Sequence, residues 1–308
     1  MSNRQSIHIA LLLWGCVFCL ITTFGTYICR DMNPKKKKYM LFMQVSGAIL
    51  LGSDAAAWGF RGVPGNGARY IVEISNFLVF LFSDLLLLLY HGYICSWIFE
   101  DSPDEERKNR RVKAVGIICI TAVVLLVISQ FNHMYYYIDR QNCYHRNRVY
   151  IVSMILPAAG MVLDLSLLIQ YRKNLSRTIF TGLLSYIVLP MVATVVQSFH
   201  YGISLINISV TVSIVMMFME IMIEQGQTVA RQEHQLAEKD RMLARQEREL
   251  TESRITSMLS QIRNHFIFNT LSVISGYCKI DPEKADQALA RFARYLRRNI
   301  NYLETNGL

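Results

Sequence analysis

The chain has 308 residues, 52% of them hydrophobic, and a mean hydropathy of +0.25, which is more apolar than a soluble domain of this size. Six prolines, sixteen glycines and no low-complexity tract exclude a fibrous, collagen-like or largely disordered protein. Lys and Arg number 32 against 23 Asp and Glu, a formal charge of +9, so the location of the charges must decide between nucleic acid and a membrane surface.

Seven apolar runs before residue 224 are long enough to cross about 30 Å of hydrocarbon as helix: roughly 8–29, 39–60, 70–99, 112–138, 149–171, 178–200 and 203–223. Apolar residues continue around the whole helix rather than alternating, so helices are predicted over barrel strands. The first run is too long for a signal-peptide core and lacks a small-x-small cleavage pattern, and is read as a retained span. One set of alternate loops carries thirteen basic residues: Arg30, the lysine run 35–38, Arg107, Lys108, Arg110, Arg111, Lys113, Arg172, Lys173 and Arg177. The other carries six: Arg4, Arg61, Arg69, Arg140, Arg146 and Arg148. Positive loops resist export, so the amino terminus is predicted outside and everything after residue 223 in the cytoplasm, in a multi-pass protein of the cell membrane. Residues 224–308 carry 13 Lys/Arg against 11 Asp/Glu. The basicity thus belongs to membrane topology, and nucleic acid is not an expected partner.

Ionisable residues inside the spans are costly and mark cavities, partners or ligand sites. Asp54 and Glu73, with Trp58, Arg61 and Arg69, stand toward the outer ends of the second and third spans. They are placed to line a pocket for an extracellular ligand, although structural pairing accounts for such residues equally well. Asp84 and Asp164 sit deeper, with no Lys or Arg in the span centres to neutralise them. A proton-linked transporter needs carboxylates at that depth, but no internal repeat or pair of broken helices supports one. The external segment 135–146, rich in Tyr and Arg, suits interfacial anchoring or contact with a ligand. Pro190 falls within the sixth span. The seven cysteines read mostly as small buried hydrophobes, Cys143 alone falling in an external loop. No metal site is suggested.

From Glu224 the composition turns to Gln, Glu, Arg and Lys, with Val229, Leu236, Leu243 and Leu250 seven apart. The intervening heptad positions are polar, which leaves two readings: a solvated linker helix, or a signalling coiled coil that dimerises in context. The stripe strengthens at Ile255, Leu259, Ile262, Phe266 and Val273. After a cap at Asp281 and Pro282, a second stripe follows at Ala285, Leu289, Phe292, Leu296, Ile300 and Leu303. The pattern predicts an antiparallel helical hairpin, and pairing two chains into a four-helix bundle is the natural way to cover both stripes. The fold class is therefore all-α: a seven-helix transmembrane sensor bundle over 1–223, a helical or coiled-coil linker over 224–254, and a hairpin over 255–308 that homodimerises. His265 falls on the flank of the first stripe, where an imidazole nitrogen stays open to a phosphoryl donor, and Asn269 stands one turn later on the same face.

The stretch Ser260-Gln261-Ile262-Arg263-Asn264-His265-Phe266-Ile267-Phe268-Asn269-Thr270-Leu271 resembles the phosphoacceptor box of LytS-like sensor histidine kinases, Gln-Ile-x-Pro-His-Phe-Leu-Phe-Asn-x-Leu. Gln261, Ile262, His265, Phe266, Phe268, Asn269 and Leu271 match, and the family's proline is Asn264 here. Ala293 to Arg298 is similar to the second helix of that hairpin. The resemblance, over about residues 255–303, implies a bacterial membrane sensor kinase of a two-component system. In such a kinase His265 is phosphorylated, Asn269 assists, and the phosphoryl group passes to a response-regulator aspartate. It implies ATP and Mg2+, held by a catalytic domain that the sequence, ending at Leu308, does not reach. His265 is then expected to be phosphorylated by another polypeptide or by a longer form. The rival expectation is a non-catalytic dimerising membrane regulator related to the kinases.

Overall fold

A computed structural model describes residues 3–29, 32–100, 102–199 and 204–305; for 198, 199, 259, 261, 262 and 298–305 the backbone alone is considered. The chain is 87% helical and divides into two compact units, Met1–Val229 and Ala230–Leu308.

In the first unit, α1 (Asn3–Ile28), α2 (Pro34–Phe60), α3 (Asn66–Ile98), α5 (Arg110–Asn132), α6 (Val152–Gln170), α7 (Arg177–Phe199) and the start of α8 (Leu205–Ile280) are long and apolar enough to cross a membrane. The chain is, at this level, a multi-pass membrane protein. Helices start where side chains can cap them: Asn33 accepts from Lys35 N–H ahead of α2, with Pro34 in its first turn, and Asn109 accepts from Arg111 N–H ahead of α5. Short helix α4 (Pro103–Lys108) and a 3-10 turn, Arg172–Asn174, complete the connections on the lysine-bearing side.

Burial is inverted relative to a soluble bundle. Helix α1 encloses His8, Thr22 and Thr26 while Trp14 and Phe24 are 62% and 67% exposed. That is the arrangement for a helix whose outer solvent is hydrocarbon and whose inner face offers polar partners. Gln44 Nε2 donates to Thr26 Oγ1 at 2.9 Å, and Thr22 and Thr23 hydroxyls donate to the Cys19 carbonyl. Small residues let the helices close. A Cβ on Gly92 would strike the Tyr39 ring, and one on Gly160 would lie 2.9 Å from Leu87 Cδ2. Tyr90 and Tyr186 stack at 4.1 Å near mid-bundle, with the Tyr90 hydroxyl donating to Leu183 O.

Two sequence expectations change here. The fourth span does not run to residue 138: α5 ends at Asn132, because His133 takes a left-handed conformation (φ 53°) and breaks the ladder. Tyr136–Ile138 instead forms β1, paired antiparallel with β2, Tyr144–Arg146, in the register Tyr136 to Arg146 and Ile138 to Tyr144. The turn has a local cause. Asp139 O accepts from Asn142 N–H, Asn142 is left-handed (φ 56°), and Asp139 Oδ1 accepts from Gln141 and Cys143 N–H, the three-residue hairpin loop that tolerates Asn in the left-handed position. The second change concerns Asp164. It has a partner after all: His91 Nδ1 lies 2.6 Å from Asp164 Oδ1, both residues buried, with Cys95 Sγ 3.7 Å from His91 Nε2.

Removing one member of a buried polar pair strands the other, whereas replacing both does not. Asp164→Leu alone is expected to lower the thermal midpoint of the protein in detergent, corresponding to about 3 kcal/mol, and His91→Phe with Asp164→Leu to recover most of that loss. Equal midpoints for the single and double variants would remove the coupling.

Candidate functional site

The second unit contains the remainder of α8 and α9 (Pro282–Thr305). The turn between them is tight because Asp281 caps α9: its Oδ1 accepts from Lys284 N–H at 3.1 Å and its Oδ2 pairs with Lys284 Nζ at 2.9 Å. Lys284 holds the Asp281 carboxyl below its ordinary range. Ile274, Ala285 and Phe292 are buried between the helices, and Phe266 meets Phe292 and Tyr295 at 6.3 and 5.2 Å between ring centroids.

The apolar face of α8 thus differs from the one expected. Val273 is 58% exposed and its neighbour Ile274 is buried, because Ile267, Thr270 and Ile274, at three-four spacing, turn toward α9. The expected stripe members Leu259, Ile262, Ile300 and Leu303 lie outside the described side chains, as do Gln261 and Arg298. Phe268 at 70% exposure, Leu271, Val273 and Leu289 form apolar surface that the hairpin does not cover.

His265 is exposed, one residue before the Phe266 anchor, so its ring is held at a fixed azimuth on α8 without being enclosed. Asn269 Nδ2 lies 3.3 Å from His265 Nδ1 and 3.4 Å from Nε2. As placed, the amide donates to the ring nitrogen that carries the lone pair and so orients the ring; that nitrogen becomes the nucleophile once the amide turns aside, and the imidazole itself is exposed. The helix face leading to it is polar, through Ser253, Ser257, Ser260 and Asn264. Nothing in this arrangement suits a nucleotide or its metal. The hairpin has no glycine-rich loop, and among the described residues no group of three or more His, Cys, Asp or Glu converges to hold a cation. ATP and Mg2+ do not fit these residues.

Residues 253–307 match the family described as histidine kinase. Over this segment the chain is similar to LytS-like sensor histidine kinases. Among curated proteins, the Sensor protein LytS of Staphylococcus haemolyticus (strain JCSC1435) is 33% identical over 59 residues, a stretch that is 19% of this chain and 10% of that relative. The chain therefore spans about 10% of the relative's length.

The first unit holds a second candidate, a cavity of about 590 Å3 among α2, α3, α6, α7 and α8. Asp54, Trp58 and Arg61 line it, at the end of the bundle that carries the β-hairpin. Glu73 does not: it is bound to Arg69 one turn away on α3, at 2.9 Å. Asp54 Oδ2 accepts from Asn207 Nδ2 at 2.7 Å, and Ser204 and Trp58 also bond to this carboxylate. The Arg61 guanidinium lies 5.2 Å over the Trp58 ring, and Arg146 lies 4.4 Å over Tyr150. Sequence reasoning passed over Asn207 and Tyr150, although a lone Asn in an apolar run is a visible signal. Asp84 is buried on α3 with no ion pair among the described residues.

The β-hairpin is fastened over this end of the bundle. Asn142 Nδ2 donates to Val63 O at 2.7 Å, and Phe80 stacks on Tyr136 at 5.3 Å. The Cys143 N–H, and after it His145, hold the Asp139 carboxyl below its ordinary value of 3.8. A carboxylate lowered by folding contributes stability that is present above the unfolded value and lost as pH falls through the folded one. Hydrogen exchange at Asn142 and Cys143, corrected for intrinsic rate, should stay slow down to the ordinary carboxylate range and quicken only below it. Asp139→Ala should be fast at every pH; protection in that variant equal to the parent's would rule out the carboxylate as the turn's fastener.

Proposed function

We propose that this chain is the sensing and phosphoacceptor part of a two-component sensor histidine kinase, with the β-hairpin end of the bundle outside the cell and the histidine hairpin in the cytoplasm. The observation that carries the reading is an exposed His265 with Asn269 at 3.3 Å, within a segment similar to histidine kinases. His265 uses the unprotonated ring nitrogen to attack phosphorus as the bond to the donor's leaving oxygen breaks. A response-regulator aspartate then attacks the phosphohistidine, a carboxylate–phosphorus bond replacing the nitrogen–phosphorus bond. Asn269 orients the imidazole and hydrogen-bonds the transferring oxygens. The donor, ATP on the family resemblance, is held by a catalytic domain outside residues 1–308.

Dimerisation follows from the uncovered apolar surface at Phe268, Leu271, Val273 and Leu289, which a second hairpin of the same sequence would cover. That surface also favours a second reading, in which the chain dimerises with a kinase and restrains it without chemistry of its own.

The two readings separate on one measurement: phosphohistidine in the purified membrane protein, incubated with ATP and a separately supplied kinase catalytic domain. Acid-labile label that disappears in His265→Ala is expected, together with at least a tenfold slower transfer in Asn269→Ala, on the order of one lost charge-assisted hydrogen bond. An unlabelled but intact dimer would favour the restraining regulator.

Helix α8 contains no proline from Leu205 to Ile280, so a residue inserted near Ala244 must re-phase everything beyond it. One inserted residue rotates the following helix by about 100°, whereas seven restore the phase to within about 20°. Reporter output should change far more with the single insertion; equal responses would deny that α8 transmits the signal as a helix.

A further inference from the structure

The bundle cavity divides its chemistry by depth. At the β-hairpin end, two guanidiniums, Arg61 and Arg146, stand on its rim beside Trp58 and Tyr150. Toward mid-bundle the walls are Leu86, Leu87, Met161, Val162, Met191 and Tyr186. Polar side chains that line the space between are turned back onto their own helices. Asn76 Nδ2 donates to Val72 O, Ser83 Oγ to Val79 O, Ser153 Oγ to Tyr150 O and Thr194 Oγ1 to Pro190 O, at 2.7 to 2.8 Å. The three hydroxyl donors are spent on the backbone and Asn76 has one N–H so engaged, and with the apolar walls the lower cavity offers a ligand mainly hydrocarbon contact.

The rim is different. Its one carboxylate among the described residues, Asp54, is already bound by Asn207, Ser204 and Trp58. Arg61 has no carboxylate partner among the described residues, and its guanidinium lies 5.2 Å over an indole. A guanidinium held over a ring keeps N–H groups for an anion. Arg146, stacked on Tyr150 and bonded to Tyr144, adds a second positive charge to the same opening. Two cations against one engaged carboxylate leave the mouth suited to negative charge. A volume of about 590 Å3 falls within the range of roughly 300–1,000 Å3 for small-molecule sites.

We propose that this cavity binds an amphipathic molecule with an anionic head and an apolar chain, the head at Arg61 and Arg146 and the chain reaching toward Leu87, Met161 and Tyr186. Three methionines on its walls, Met154, Met161 and Met191, allow the apolar end to vary in shape. Two helix-interior prolines, Pro157 on α6 and Pro190 on α7, also line it. Neither can donate to the carbonyl four residues before it, Ser153 or Tyr186, so both walls have a point at which they yield. Such an amphipath can come from two sources, a free long-chain acid or a lipid of the surrounding leaflet. That occupancy is the sensed signal rests on the receptor reading above; binding itself does not, and is measurable without reference to His265.

The experiment uses the full chain in phosphatidylcholine nanodiscs and a photoreactive dodecanoate, with dodecyltrimethylammonium and dodecanol as competitors. Labelled peptides are expected from α3, α6 and α7, with competition by unlabelled dodecanoate and little by the cation. Arg61→Gln with Arg146→Gln should weaken binding roughly tenfold or more, the loss of hydrogen bonds to a charged group. Because Arg146 also supports the hairpin, Ala158→Trp provides an independent test: it fills the apolar chamber, leaves the rim intact and should abolish labelling at an unchanged thermal midpoint. Including phosphatidylglycerol in the discs distinguishes the sources, since displacement of the probe assigns the occupant to the leaflet and persistence assigns it to a free acid. Competition by the cation equal to that by the acid, or labelling unaffected by both sets of substitutions, overturns the proposal. His265→Ala should bind the probe as the parent does, so a failed phosphotransfer and a failed binding site are read separately.

Discussion

Hydrocarbon supplies no hydrogen bonds, and most of the first unit follows from that. A backbone crossing it must satisfy every N–H and C=O internally, which selects helices, and a polar side chain within it must find a partner on a neighbouring helix or on its own. Both solutions are present. Ser83, Ser153 and Thr194 return to backbone carbonyls of their own turns. Gln44, Asp54 and His91 reach across to Thr26, Asn207 and Asp164. The second group is the more informative, since each pair fixes the register of two helices at one height. Asp54–Asn207 locks α2 to α8 near the β-hairpin end, and His91–Asp164 locks α3 to α6 deeper in the bundle. The cavity lies among these same helices, held open by polar ties that hydrocarbon makes costly to break.

The histidine hairpin obeys the opposite rule, because its solvent is water. Its stability comes from apolar burial between α8 and α9, and the tie is a small one: Ile274, Ala285 and Phe292, with Phe266 leaning on two rings of α9. A hairpin with so few enclosed residues leaves apolar surface on its other side, and His265 belongs to neither the enclosed nor the uncovered apolar set. That position leaves its ring open to other molecules, as the proposed phosphoacceptor role requires.

Much of this was legible in the residues. Run length and hydropathy located seven spans because crossing hydrocarbon sets a minimum length, and the Asp281-Pro282 pair marked the α9 start because capping chemistry is local. The end of α5 was misread because Tyr135 to Ile138 carries no charge to mark the end of a span; the decisive signals, a left-handed His133 and the Asp139–Asn142 turn, are conformational choices that hydropathy does not register. The substitution of Ile274 for Val273 on the inner face of α8 is an error of one position, which rotates a side chain by about 100°; only the partner helix determines which of two adjacent apolar residues faces it. His91 went unnoticed as the partner of Asp164 for a related reason. Seventy-three residues separate them, and pairing across that distance is a property of packing. The cavity was anticipated only at its mouth: Asp54, Trp58 and Arg61 were read as lining a pocket, but its deeper walls on α6 and α7 are apolar residues that no polar signal marks.

Where α8 leaves the spans, side-chain hydrogen bonds tie it to its neighbours. Thr181 donates to Glu220 at 3.2 Å, Ser176 donates to Glu224 at 3.2 Å, and Cys29 Sγ lies 3.3 Å from Gln225 Oε1. Gly182 leaves the space that the Glu220 carboxylate fills; a Cβ there would collide with it. Two of these three ties join α7, or the residue preceding it, to α8. The same two helices line the cavity at their other ends, through Pro190, Met191 and Thr194 on one and Asn207 and Val210 on the other. On the proposed receptor reading, an occupant at the rim acts on a pair of helices clasped at the opposite end, and α8, which contains no proline, continues from that clasp as one helix.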